Sequence, residues 1–487
     1  MQKILSASEI NQLDQVHLKR KAFSNHAFME LVAQRFVDWF QSQGYSSHVK
    51  ILVCVGAGNN GGDGLAIARI LFAQGYPIAV ATCFSSGAKL SPDCQQNLSL
   101  LPSQIHCRTL DYDSLPNDGI LIDAYLGIGC SGPLREEAEQ RIQTLNSFEG
   151  TIISLDLPSG LPADSILLGG AVKADLTVTL GFPKLSLLLP EHAEYTGELV
   201  VLDIGFVEEE LDDFSGQTYF LEEKDVLPLH LKFHRFAHKG DFGKVLLLAG
   251  SKGKMGAAVL AAKAAFRTGS GLVTCLIPEE ERGALSAVPE AMCIFDEDQD
   301  FSGYDAIGIG PGLGLDQVER LKKILSATRK PVVLDADALN CLAKDSTIWD
   351  LIPKGSILTP HLKEFDRLFG SSETHLERMA KAKACCLKYD LNLVLKGANT
   401  LCSLSDGRQV FNSSGTKYMA TAGMGDALTG MLTSFLGQGY SSENAVLCGV
   451  FHHGLAGELA GDHYLRGTMA QDLIEAIPET YRLIGLD

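Results

Sequence analysis

The chain has 487 residues, of which 46% are hydrophobic and 21% charged, and its formal net charge is −18. This length exceeds the usual span of one domain, and the composition is far from that of a disordered chain, so a single small module and an unfolded segment are both excluded. The acidic balance excludes sequence-independent attraction to nucleic acid or to an anionic membrane, so any anionic ligand must be held by local geometry.

Residues 6 to 43 carry apolar side chains at mixed spacings of three and four (Ile10, Leu13, Val16; Phe28, Leu31, Val32, Phe36), which predicts two opening helices started by Ser8 and Asn25. From Val49 the pattern changes to short β-rich runs, ILVCV, PIAVATCF, GILIDAYL, TIISLDLP, LTVTLGF and GELVVLDIG, separated by helix-length stretches. Such alternation predicts a parallel sheet with crossover helices, and ligands of such sheets bind at the carboxyl ends of the strands. The acidic segment FVEEELDDFSGQTYFLEEKDVLP (206–228) reads as a solvated connection and sets domains at 1–215 and 225–487. Beyond it the alternation resumes with KVLLLAG, an Ala-rich helix near 256–269, GLVTCLI, AIGIG, PVVLDAD, SILTP and LNLVLKG, then a helical end. The small residues of the Ala-rich helix suit close packing against a sheet. The two halves differ in motif and spacing, so no internal repeat is read.

The 12 scattered cysteines, without a C-x-x-C pair, suit buried thiols in a reducing cytoplasm. No secretory leader or membrane span is expected. The 49 glycines exceed the ~7% usual in proteins and come in clusters.

The first cluster, Gly56 to Gly64 (GAGNNGGDG), follows ILVCV and precedes a helical run. It satisfies G-x-G-x-x-G, but the acidic ribose-binding residue expected about 20 positions on is missing, which argues against an ordinary nicotinamide dehydrogenase. Glycines there let backbone amides approach a phosphate at a helix start. Asp123 ends a second run and leads into AYLGIGCSGPL; Asp156 ends a third and leads into LPSG. Each acid alone suits a cap or turn, while together at one sheet edge they form a candidate site.

The segments GAGNNGGDG, DAYLGIGCSGPL and SLDLPSG, in this order, resemble the amino-terminal domain of NAD(P)H-hydrate epimerases. The resemblance implies a Rossmann-like domain that binds a hydrated nicotinamide dinucleotide beside a potassium ion. It implies side-chain potassium ligands at Asn60, Asp123 and Ser159, the oxygen donors a hard cation needs. It implies nucleotide contacts at Asn59, Asn60, Gly61, Gly62 and Asp63, and at Gly127, Ile128, Gly129, Cys130, Ser131, Gly132 and Pro133. Asp156 would meet the hydrated ring as acid or base.

In the second half, polar residues again end β runs: GIGPGLG (308–314), VLDADALN (333–340), ILTPHLKEF (357–365) and VLKGANT (394–400). The run AGMGDALTG (422–430) places glycines and Asp426 at a helix start, where exposed amides and the helix dipole favour a transferring phosphoryl group and an Asp can deprotonate the attacking hydroxyl. An acidic helix cap is the plainer reading of the same residues. No P-loop motif is present.

GPGLG, VLDADALN, LTPH, LKGANT and GMGDALTG together resemble the ribokinase-like, ADP-dependent NAD(P)H-hydrate dehydratases. The resemblance implies nucleotide binding at Lys396, Gly397, Ala398, Asn399, Thr400 and Gly425. It also implies hydrate contacts at Ala257, Gly314, His361 and Asp426, with Asp426 as the base. ADP would phosphorylate the ring hydroxyl and phosphate would then leave; Mg²⁺ is expected with the nucleotide, with Asp335 and Asp337 as candidate ligands.

The fold expected is therefore α/β in two domains, a Rossmann-like parallel-sheet domain followed by a ribokinase-like domain. The function expected is repair of hydrated NADH and NADPH: epimerisation, then ADP-dependent dehydration of the S hydrate to NAD(P)H, AMP and phosphate. The partners expected are small molecules, without nucleic acid or membrane, in a homo-oligomer. The alternatives are a small-alcohol or vitamin-precursor kinase fused to a nucleotide-binding sensor domain, and a nucleotide-binding regulator without activity.

Overall fold

The computed structural model describes residues 1–486 other than 86, 111–114, 117, 131, 212, 297 and 299. The chain divides into two compact units, residues 2–216, and residues 217–487 with Met1. No helix among the described residues is long and apolar enough to cross a membrane.

The first unit opens with helices Ala7–Lys21 and Asn25–Ser42. Their caps are Ser6 and Ser24 rather than Ser8 and Asn25. The capping residue must stay extended while its hydroxyl accepts an amide further on, and Ser6 and Ser24 do so, Ser6 completing a capping box with Glu9. Seven parallel strands follow, ordered across the sheet 106–109, 78–82, 51–55, 120–124, 151–155, 176–180 and 198–202. Alternate residues serve opposite faces: Ile51, Val53 and Val55 pack with Phe36, Phe40 and Leu65, whereas Leu52 and Cys54 pack with Leu121, Ile142 and Leu145. Both faces are covered, which is why these strands read as continuous apolar runs. The winding reverses between strands Ile51–Val55 and Ile120–Ala124, and their carboxyl ends open a crevice there.

The second unit is built on strands ordered 218–221, 409–412, 401–403, 392–395, 357–358, 332–334, 306–309, 244–248, 272–276 and 292–294. Pairing is parallel from 292–294 through 392–395, and the hairpins 392–395/401–403/409–412 are antiparallel. Its reversal lies between Lys244–Leu248 and Ala306–Ile309. Helices Met255–Arg267 and Met424–Gly437 pack so closely that a Cβ at Gly430 would stand 2.1 Å from the Ala261 carbonyl oxygen. The small residues at helical spacing serve this contact.

The acidic stretch 206–228 is not a solvated connection. Glu210, Leu211, Phe214, Phe220, Leu221 and Val226 are buried, and Thr218–Leu221 pairs with Gln409–Asn412. Its apolar residues are few but spaced to point inward, and the His17 ring meets the Glu210 carboxylate at 2.9 Å in the core.

Candidate active sites

The crevice of the first unit holds a cavity of about 660 Å³. Helix Asn59–Ala73 starts at its floor from Gly58, which provides no side-chain cap, so the first amides of the helix remain available to an anion. Asn59, Asn60 and Asp63 line the cavity; Gly61 and Gly62 lie buried behind them. A Cβ at Gly61 would stand 1.9 Å from the Gly56 carbonyl oxygen, so that glycine serves the tight turn. From the second loop Gly127, Ile128, Gly129 and Cys130 line the cavity, whereas Gly132 and Pro133 do not, and Ser131 lies outside the described residues.

Asn60, Asp123 and Ser159 converge on one spot. Asn60 donates to the Leu126 carbonyl oxygen (3.0 Å), the Ser159 hydroxyl donates to Asp123 (2.5 Å), and the Leu126 amide donates to that hydroxyl (2.7 Å). Asp123 is fully buried and accepts further bonds from the Ser159 amide and the Ser154 hydroxyl. Burial raises its pKa while these bonds oppose the rise. No ion pair among the described residues neutralises it.

Asp156 follows strand Thr151–Leu155 in the left-handed region (φ 66°), a conformation that costs a non-glycine residue energy and recurs at functional sites. Its carboxylate accepts from the Leu180 amide (3.1 Å) and forms an ion pair with Lys184. Lys184 is 2% exposed and also donates to the Leu180 carbonyl oxygen (2.9 Å) and to Thr179 (3.1 Å). Two more carboxyls face the same space. Burial pushes Asp14 up to about 6, with the Lys184 ammonium opposing and the Asp156 charge adding. Burial, then Asp156 and Asp14, push Asp63 well up.

Lys184 and Asp14 escaped the sequence reading, although each leaves a trace. Lys184 is the one charge in the apolar run GFPKLSLLL, and Asp14 occupies the buried face of its helix between Ile10 and Leu18.

In the second unit the marked residues gather at the carboxyl ends of the strands. Asp335 is buried, accepting from Lys396 (2.8 Å) and from the Thr429 hydroxyl (2.9 Å). Lys396 pairs with His361 across neighbouring strand ends, and a Cβ at Gly425 would lie 3.5 Å from its ammonium. Helix Met424–Gly437 begins at Gly423 (φ 91°) without a side-chain cap, and Asp426 sits in its first turn. Asp426 is thus not the cap of its helix. Burial raises its pKa to about 6, with Asp335 adding and Lys396 opposing.

Asp337 accepts from the Gly314 amide (2.8 Å) and lies 3.6 Å from the Lys254 ammonium. Ala257 stands beside this loop, where a Cβ on Gly312 would meet its methyl at 3.1 Å. His361 caps helix Leu362–Phe369, its Nδ1 accepting from the amides of Lys363 and Glu364, which leaves Nε2 to carry the proton. Gly397, Ala398, Asn399 and Thr400 form the exposed turn after Lys396, closed by the Thr400 hydroxyl on the Gly397 carbonyl oxygen (3.0 Å). Thr429, which holds Asp335, was not singled out from the sequence; it lies one helical turn beyond Gly425, on the face that carries the motif.

Residues 25–186 match the family model described as YjeF-related protein N-terminus, and residues 245–479 match that described as NAD(P)H-hydrate dehydratase. The chain is 33% identical to the bifunctional NAD(P)H-hydrate repair enzyme Nnr of Moorella thermoacetica, covering 98% of this chain and 96% of the relative. The ADP/ATP-dependent NAD(P)H-hydrate dehydratase of Bacillus subtilis, co-crystallised with ATP and Mg²⁺, is similar at 33% identity and a TM-score of 0.50, over 55% of this chain and 98% of that one. A ribokinase-like superfamily protein of Enterococcus faecalis shares the fold (24% identity, TM-score 0.51, 56% of this chain and 98% of that one). Similarity along the whole chain favours a two-domain repair enzyme over a kinase fused to a sensor. The chain belongs to the family of bifunctional NAD(P)H-hydrate repair enzymes.

Proposed function

We propose that the first unit interconverts the R and S epimers of hydrated NADH and NADPH, and that the second dehydrates the S epimer with ADP, releasing AMP, phosphate and NAD(P)H. The observation that carries this reading is the pair of acid-bearing strand edges, each facing the uncapped start of a helix. Such helix starts suit phosphate-bearing ligands, and each is accompanied by a carboxylate able to move a proton.

In the dehydratase unit Asp426 takes the proton of the C6 hydroxyl. The hydroxyl oxygen then bonds to the β-phosphorus of ADP as the bond from that phosphorus to AMP breaks. The C6–O bond next breaks with loss of phosphate, and a proton leaves C5 to restore the dihydronicotinamide double bond. Lys396 and the amides at Gly425 face the nucleotide phosphates, where charge is redistributed. Mg²⁺ would be held mainly by the nucleotide, because Asp335 is engaged by Lys396 and Thr429. It would neutralise charge on the transferring phosphate.

In the epimerase unit the ring nitrogen's lone pair expels the C6 hydroxyl as water, leaving a planar cation that water re-enters. Asp156, fixed by Lys184, exchanges the proton on its side of the ring. The potassium expected from the resemblance suits a donor set of oxygens around the buried, unneutralised Asp123 carboxylate. Asn60, Asp123, Ser159 and the Leu126 carbonyl would hold it, and it would supply the missing positive charge. The test is to incubate the purified protein with ADP and both epimers. Dihydronicotinamide absorbance should recover completely, with one AMP and one phosphate per NAD(P)H; no recovery, or a stable phosphoester, overturns the reading.

A further inference from the structure

We propose that Asp14 is the second acid–base group of the epimerisation, serving the ring face that Asp156 does not; this rests on the role proposed above for Asp156. Inversion at C6 has a requirement that one carboxyl cannot meet. As the C6–O bond breaks and the nitrogen lone pair moves in, the departing hydroxyl must take a proton from an acid on its own face. As water bonds to C6 from the other face, a base there must take its proton. A single carboxyl beside a planar ring reaches one face only.

Asp14 meets the requirement by position. It lines the same cavity as Asp156 but comes from helix Ala7–Lys21, whereas Asp156 follows strand Thr151–Leu155, so the two carboxyls enter from different elements. Its half-buried carboxyl has no hydrogen bond or ion pair among the described residues, so it is free to engage a ligand, whereas Asp156 is tied to Lys184. The titratable groups facing it are His17 on its own helix, Lys184 and Asp156 from the strand ends, and Asp63 from helix Asn59–Ala73. With its pKa at about 6, part of the population carries a proton near neutral pH. Asp14 gives that proton to the departing hydroxyl and Asp156 takes one from the entering water. In the reverse direction the roles exchange, and solvent resets the pair.

The test uses the full chain without ADP and follows inversion of each purified epimer by chromatography and oxygen exchange from heavy-oxygen water by mass spectrometry. Asp14→Asn should slow inversion about 10²–10⁴-fold with little change in KM. Asp156 then still expels and readmits water on its own face, so one epimer should exchange oxygen faster than it inverts. Asp14→Glu should restore inversion and the decline of kcat above about pH 6. Inversion by Asp14→Asn within about threefold of the parent, or inversion and exchange falling together, would overturn the proposal. Asp156→Asn tests the underlying reading separately: if it inverts both epimers at the parent rate, the role of Asp156 fails whatever Asp14 does.

Discussion

The two units solve one problem with different means. Each must keep a reactive carboxyl at the edge of a parallel sheet. In the first, Asp156 is locked by the almost fully buried Lys184, while burial first and the Asp156 charge second raise the pKa values of the neighbouring Asp14 and Asp63. In the second, the cation contact goes to the buried Asp335, and Asp426, in the first turn of a helix, has no hydrogen bond or ion pair among the described residues. A reversible inversion needs groups fixed around a ring, whereas a base for phosphoryl transfer needs a carboxylate poised to titrate near its working pH.

The comparison breaks if the acids behave alike. Asp426→Asn should reduce ADP-dependent dehydration by at least about 10²–10⁴-fold, read as the initial rate of NADH formation from the S hydrate. Lys184→Met should destabilise the first unit by about 3–5 kcal/mol, because it leaves the partly buried Asp156 carboxylate without its cation, and denaturant unfolding should show the loss. Gly61→Ala should cost about 1–3 kcal/mol or more by driving a methyl into the Gly56 carbonyl, while Gly129→Ala, with nothing within 4 Å of the new Cβ, should leave stability unchanged and raise the hydrate KM.

Two pH effects sharpen the contrast. Dehydration depends on ionised Asp426, so its kcat should rise with pH through about 6 and level off above. The same raised pKa makes ionised Asp426 a cost to folding. The stability it contributes is complete below about pH 4 and lost as pH rises through about 6. Asp426→Asn should therefore stabilise the second unit at pH 8 by on the order of 1–2 kcal/mol and have no effect below pH 4, measured by denaturant midpoints.

Much of this architecture is legible in the sequence because both sheets are parallel and covered on both faces, so each strand is a compact apolar run and each site residue follows one. Asp123, Asp156 and Lys396 stand at such run ends, and Asp426 stands in the first turn of a helix. Lys184 and Asp14 are less visible because Asp156 is 28 positions from the first and further still from the second, and only the fold brings them together. The glycine clusters mix two functions that sequence does not separate: Gly61 and Gly310 are demanded by carbonyls 1.9 and 1.8 Å from a would-be Cβ, whereas Gly58, Gly129 and Gly314 face open space. The segment 206–228 misleads because its charges outnumber the few side chains that anchor it in the core.

The division of labour is tested most directly by the time course of NAD(P)H recovery by Asp156→Asn, given ADP and an equal mixture of both epimers. The parent protein should recover both shares without a slow residue. The variant should recover the S share at the parent rate and the R share only at the spontaneous rate of epimerisation. Loss of the fast phase, or rapid recovery of both shares, would contradict the account.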